Sequence, residues 1–241
     1  MTRFLSAMKI DVTVQARNKL YAIGIGVAVL VAVLLSQLAH PSRLFYVVPV
    51  TMLLVIGGTT LLYVAGMILF ERDEGTLHAV IVSPLRTSEY LWSKIVTLTA
   101  LATLESAVMI GGAMLLMSRS DDVPVPNIPI LLAGIVAIGV MYTLIGIVLI
   151  VRYDKITDFL IPMAAVVSVL QLPFMHFWGV IEHPAFLIIP TSAPTLLMQG
   201  AYIQLAAWEW LYAIGYTAAW MLGLAFWAYR AFDRHVTMKI A

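Results

Sequence analysis

The 241-residue chain contains no cysteine, which excludes disulfides and thiolate metal sites and leaves the redox compartment unmarked. Charge is scarce: 11% of residues are Asp, Glu, Lys or Arg, where soluble domains carry about 25%. The formal net charge is +1, with no basic stripe and no acidic tail, so nucleic acid is not an expected partner. Familiar catalytic signatures are missing too. There is no G-x-x-x-x-G-K-S/T loop, indeed no Gly-Lys pair, and neither H-E-x-x-H nor a G-x-S-x-G elbow occurs. The five histidines, His40, His78, His176, His183 and His235, are dispersed without ligand spacing. His183 adjoins Glu182 in a Pro-rich turn, where a surface pair is expected. The chain reads as a non-enzyme without a cofactor of its own.

What is present is apolar surface, at 62% of residues. Apolar runs near 20–38, 45–69, 95–117, 128–151, 156–178 and 208–229 are each long enough to cross a hydrocarbon core. Such a core, about 30 Å thick, admits only elements that satisfy their own backbone hydrogen bonds. An all-α polytopic membrane protein of six spans, forming one transmembrane domain over 1–241, follows. The first run is read as retained rather than cleaved, because its charged lead is long and Gln37 spoils the small-residue site ending at Ala39.

Orientation comes from the basic residues. Arg3, Lys9, Arg17, Lys19, Arg72, Arg86, Lys94, Arg152, Lys155, Arg230, Arg234 and Lys239 fall on one side, and only Arg43 and Arg119 of the 14 fall on the other. This bias puts both termini and residues 70–94 in the cytoplasm. Trp208, Trp210 and Tyr212 open the last span and Trp227 and Tyr229 close it, as interfacial anchors do. Small residues recur every fourth position at Gly215, Ala219 and Gly223, and at Ala107 and Gly111. Close packing inside one bundle is the expectation for them, with a dimer seam as the alternative.

Three stretches are not simple spans. In 1–18, Met1, Phe4, Leu5, Met8 and Val12 share a helical face, while Arg3, Lys9, Gln15 and Arg17 lie mostly elsewhere. That pattern suits an amphipathic helix in the inner interface, in contact with membrane lipids. Residues 179–206 hold no Lys or Arg, and Pro184, Pro190 and Pro194 cut them into pieces too short to span. Short outer re-entrant helices are expected there. In 70–94, Gly75 and Pro84 punctuate the chain. A short helix over 76–83 is expected, then a second helix capped by Thr87 or Ser88 that leads through Lys94 into the third span.

Glu105 stands ten residues into the third span, where an ionisable group costs a few kcal/mol or more and calls for a cavity or a partner. It is the translocation-path candidate. A proton-coupled secondary transporter built on Glu105 is the alternative function.

The order Glu71, Gly75, Thr76, Leu77, Ser83, Pro84 and Lys94, between spans two and three, resembles the signature region of type-2 ATP-binding cassette exporter permeases. Their pattern is close to E-x-x-x-G-T-L, then Ser-Pro, then a helix ending in a basic residue. "IIPTSAPTLLMQG" at 188–200 is similar to the matching region of small bacterial drug-export permeases, including fluoroquinolone exporters. The resemblance extends over the whole chain. It implies a permease subunit of the bacterial inner membrane that pairs with a second permease subunit, identical or paralogous. It also implies separate ATPase subunits that carry ATP and Mg. Glu71, Glu74, Gly75, Thr76, Leu77, Ser83 and Pro84 would then form the coupling helix region that docks on the ATPase. The implied cargo is a drug, a lipid or another amphipathic compound.

Overall fold

The computed structural model describes residues 2–75, 86–118, 123–153 and 155–234. Among these the regular elements are all helical. They are α1 (Thr2–Arg17), α2 (Leu20–Leu38), α3 (Leu44–Asp73), α4 (Thr87–Met117) and α5 (Ile128–Ile150). After these come α6 (Ile156–Gln171), α7 (Phe174–Phe177), α8 (Ser192–Gln199) and α9 (Ala207–Phe232). Single 3-10 turns at Pro41–Arg43 and Pro184–Ile188 supplement them. Among the described residues six helical stretches are long and apolar enough to cross a membrane, with α6 and α7 together making the fifth. The six expected spans therefore correspond to observed ones.

One of them, α3, runs further than expected toward the Lys/Arg-rich end, and α4 is continuous with the helix expected to lead through Lys94 into the third span. At 1.5 Å per residue the 30 residues of α3 extend about 45 Å, beyond a hydrocarbon core of about 30 Å. The third expected span, 95–117, begins at Thr87 in α4. Much of the 70–94 segment is thus the continuation of two spans. Polar residues near the helix ends prolong the helices because they find partners on neighbouring helices. α3 is closed off by Gly75, whose φ of 70° suits glycine and turns the chain away; its N–H donates to the Arg72 carbonyl at 3.0 Å. The cap of α4 differs from expectation. Arg86 is the flanking residue, and its backbone N–H donates to Glu89 Oε2 at 2.9 Å, so neither Thr87 nor Ser88 has to serve. The helix expected over 76–83 lies outside the described residues.

α3 and α5 are the central helices, while α2, α6 and α9 keep most of their surface outward. Apolar side chains such as Leu30, Leu211, Leu222 and Phe226 are exposed, as membrane-facing residues should be. Between helices in lipid, van der Waals fit replaces the hydrophobic drive, and glycine permits the closest approach. A Cβ built on Gly57 would lie 2.4 Å from Tyr142 Cζ, and one on Gly146 would lie 3.0 Å from Val64. These contacts set the α3–α5 distance. On the other side of α5, a Cβ on Gly134 would lie 2.4 Å from Met198 Cγ, 3.1 Å from the Met198 nitrogen and 3.2 Å from the Pro194 carbonyl. Gly134 therefore seats α8 against the bundle, and α8 is buried from Ser192 to Met198.

The repeating small residues behave otherwise than expected. Gly215, Ala219, Gly223 and Ala107 are exposed, and a Cβ on Gly215, Gly223 or Gly111 would meet nothing within 4 Å. Close packing inside the bundle uses other positions, such as Gly112 against Ala32 at 3.1 Å. Periodicity marked a smooth stripe but could not say which side of the helix faces protein.

α1 turns part of its polar side to the bundle. Leu5, Ile10 and Val12 are exposed, whereas Asp11 and Gln15 are buried against the bundle. Lys19, with a left-handed φ of 59°, makes the sharp turn into α2.

Replacing Gly134 with Ala forces α8 away through its backbone, at a cost of about 1–3 kcal/mol. Thermal unfolding in detergent should show a lower Tm for Gly134→Ala and an unchanged Tm for Gly215→Ala, whose added methyl meets open space.

Candidate functional site

Tyr90, Ser93, Lys94 and Thr97 fall three or four residues apart and so share one face of the first turns of α4. That face points inward, and Lys94 is 1% exposed. A buried ammonium needs countercharge and hydrogen-bond acceptors, since its desolvation costs several kcal/mol. It receives both. Lys94 Nζ donates to Asp11 Oδ1 of α1 and to Glu71 Oε1 of α3. The remaining carboxylate oxygens are also occupied. Ser93 Oγ donates to Asp11 Oδ2 at 2.5 Å, and the Tyr90 hydroxyl donates to Glu71 Oε2 at 2.6 Å. Lys94 Nζ lies 4.9 Å from the Tyr90 ring centroid, and the Tyr90 ring packs on Phe232 near the end of α9 at 5.1 Å.

One lysine thus joins α1, α3 and α4, with α9 in contact. Arg72 adds a link in another direction, its Nη1 donating to the Tyr153 carbonyl just beyond α5 at 2.6 Å. Below this cluster the chain becomes solvent-facing. Arg17 Nη2 pairs with both oxygens of Glu74, at 2.7 and 2.8 Å, with roughly half of each side chain exposed. Exposed pairs of this kind contribute about 0–1 kcal/mol.

The site residues expected from sequence are therefore separated by environment. Glu71 is an interior member of the ion cluster, Glu74 is exposed, and Gly75 ends α3. Thr76, Leu77, Ser83 and Pro84 lie outside the described residues. Asp11, Tyr90 and Ser93 had not been singled out. Asp11 had a signal, being the single acidic residue of 1–18, but its partner is 83 positions away.

Glu105 is separate from this cluster. It is 1% exposed, between α2, α3 and α4. Its Oε2 accepts from Thr59 Oγ1 and from the Tyr63 hydroxyl, both at 3.3 Å, while Oε1 has no hydrogen-bond partner among the described residues. Gly24 of α2 makes room for it, since a Cβ there would lie 3.4 Å from Oε2 and 2.9 Å from the Tyr63 oxygen. Among the described residues no three His, Asp or Glu side chains gather as metal ligands. His183 Nδ1 accepts the Ala185 N–H at 3.1 Å, so its role is a local cap rather than the expected pair with Glu182.

An all-α bundle with six membrane-length helices among the described residues is a multi-pass membrane protein. Comparison with known proteins gives the family. The model of the fluoroquinolones export permease protein family matches residues 2–240, and the chain belongs to that family. Two curated relatives, both named fluoroquinolones export permease protein, come from two strains of Mycobacterium tuberculosis. Each is 30% identical over 245 residues, which cover 99% of this chain and 98% of the relative. The likeness to bacterial drug-export permeases drawn from the sequence is borne out.

Lys94→Met should destabilise the protein by about 3–5 kcal/mol, because it strands two buried carboxylates. Glu74→Ala should change stability by less than about 1 kcal/mol. Chemical unfolding in detergent distinguishes them, and Lys94→Met combined with Asp11→Asn and Glu71→Gln should recover part of the loss.

Proposed function

We propose that this export permease is the membrane subunit of an ATP-driven exporter and draws its energy from separate nucleotide-binding subunits that dock at residues 70–94. The observation that carries this reading is the Lys94 cluster. It braces the ends of α3 and α4 against α1, so the segment between Glu74 and Arg86 hangs from a stiff base. A push on that segment is then delivered to three helices together rather than absorbed locally. Glu74, Gly75, Thr76, Leu77, Ser83 and Pro84 form the docking surface in this reading, and Glu71 transmits from behind it. ATP and Mg belong to the partner, and a second permease subunit, identical or paralogous, completes the pathway.

The distribution of Lys and Arg supports a cytoplasmic location for both termini and for the docking segment, in the inner membrane of a bacterium. The names of the relatives support a drug-like amphipath, with fluoroquinolones the first compounds to assay. Glu105 is proposed as a polar point beside the translocation route. Its free Oε1 also supports a second reading, in which this carboxyl carries a proton during ATP-independent exchange.

Co-expression with a candidate ATPase tests the first reading. Glu74→Lys with Leu77→Asp should abolish both co-purification and stimulation of ATP hydrolysis. Glu71 is left intact, because changing it would also break the buried cluster. Survival of a stimulated complex would show that docking lies elsewhere. Drug efflux that persists without any ATPase, but stops in Glu105→Gln, would favour the second reading.

A further inference from the structure

At the end opposite the Lys94 cluster, the chain encloses an open cavity of about 450 Å³. Its walls come from the start of α3, the turn after α7, the end of α8 and the start of α9. This volume falls in the range of small-molecule sites, roughly 300–1,000 Å³. The lining has a definite chemistry. Tyr46, Trp178 and Trp208 supply aromatic surface, and the Tyr46 and Trp178 rings are 6.2 Å apart and tilted by 59°. Glu182 and Glu209 supply carboxylates, and no described Lys or Arg lines the cavity.

The polar groups are not all engaged within the protein. Glu209 Oε2 accepts the Ala206 N–H at 2.7 Å and caps α9. Glu182 bonds to none of the described residues and sits by the Gly179 turn, where φ is 76°. His176, which also lines the cavity, packs against the Phe177 ring at 5.3 Å, and its buried Nδ1 has no hydrogen-bond partner among the described residues. A buried ring nitrogen in a cavity wall needs a ligand or a water to satisfy it.

From this lining we infer that the cavity binds an amphipathic aromatic cation. Ring faces attract positive charge through their quadrupole, and two carboxylates with no described Lys or Arg in the lining add a negative potential. The apolar body of such a ligand stacks on the indole and phenol rings while its ammonium faces Glu182. Aromatic anions of equal size are repelled. The site lies at the end that the exporter reading assigns to the outer face, so it would be the last station of an outgoing compound. Only that assignment rests on the exporter reading; the ligand class rests on the lining.

The test is an equilibrium titration of ethidium into the full-length chain in lipid nanodiscs, read by fluorescence polarisation, with fluorescein as the aromatic anion. No ATPase is present, so the outcome does not depend on the energy source, and a failed docking experiment leaves it standing. Wild type should bind ethidium at least ten-fold more tightly than fluorescein. Glu182→Gln should weaken ethidium binding roughly ten-fold, the effect of losing a charge-assisted contact. Trp178→Ala should weaken it further, and both variants should keep the wild-type Tm, because Glu182 and Trp178 are exposed. Equal binding of the two dyes, or unchanged ethidium affinity in both variants, overturns the proposal.

Discussion

Lys94 carries its charge into the interior of the bundle, and the helices around it are arranged as that charge requires. An ammonium withdrawn from water must be surrounded by acceptors, and no single helix can supply them from its own side chains. Asp11 comes from one helix, Glu71 from a second, and Tyr90 and Ser93 complete the carboxylate shells from Lys94's own helix. The rotation of α1 follows. To present Asp11 it must turn part of its polar face inward, which leaves Leu5 and Val12 outside. The extended length of α3 and the early start of α4 follow as well, since Glu71 and Lys94 remain helical while they pair.

The two ends of the molecule are held by different physics. At the Lys/Arg-rich end the joints are ionic and link helices distant in sequence. At the other end one joint is steric: α8 is seated by the missing side chain of Gly134. An ionic joint tolerates no loss of a partner, because the remaining charge stays buried. A steric joint is a matter of fit and can slide. On the proposed reading, the ionic end is the one that would receive the push from the ATPase.

Much of this architecture was legible in the amino-acid order. Runs of about 20 apolar residues have one outcome in lipid, since every backbone polar group must be satisfied within the helix. Gly75 as the end of a helix was legible because positive φ favours glycine. The break-up of 179–206 was legible because proline interrupts helices. The small-residue stripes were misread for a physical reason: spacing gives the face on which Gly215, Ala219 and Gly223 lie, but it is silent about which neighbour that face meets. The same limit applies to the acidic group at 71–74. Glu71 and Glu74 look alike in the sequence, yet one lies in a buried cluster and the other at the surface.

By itself, the sequence determined the number of spans, the segregation of basic residues to one side, and the absence of a phosphate-binding loop. These depend on local composition and on the cost of backbone and charge in hydrocarbon. Only the tertiary structure decided that Asp11, Glu71 and Lys94 form one cluster, that Glu105 sits against Thr59 and Tyr63, and that two glutamates and five Phe, Tyr or Trp residues border a common cavity. Each of these is a meeting of residues tens of positions apart, set by helix rotation and interhelical distance, and no period along the chain encodes such a meeting.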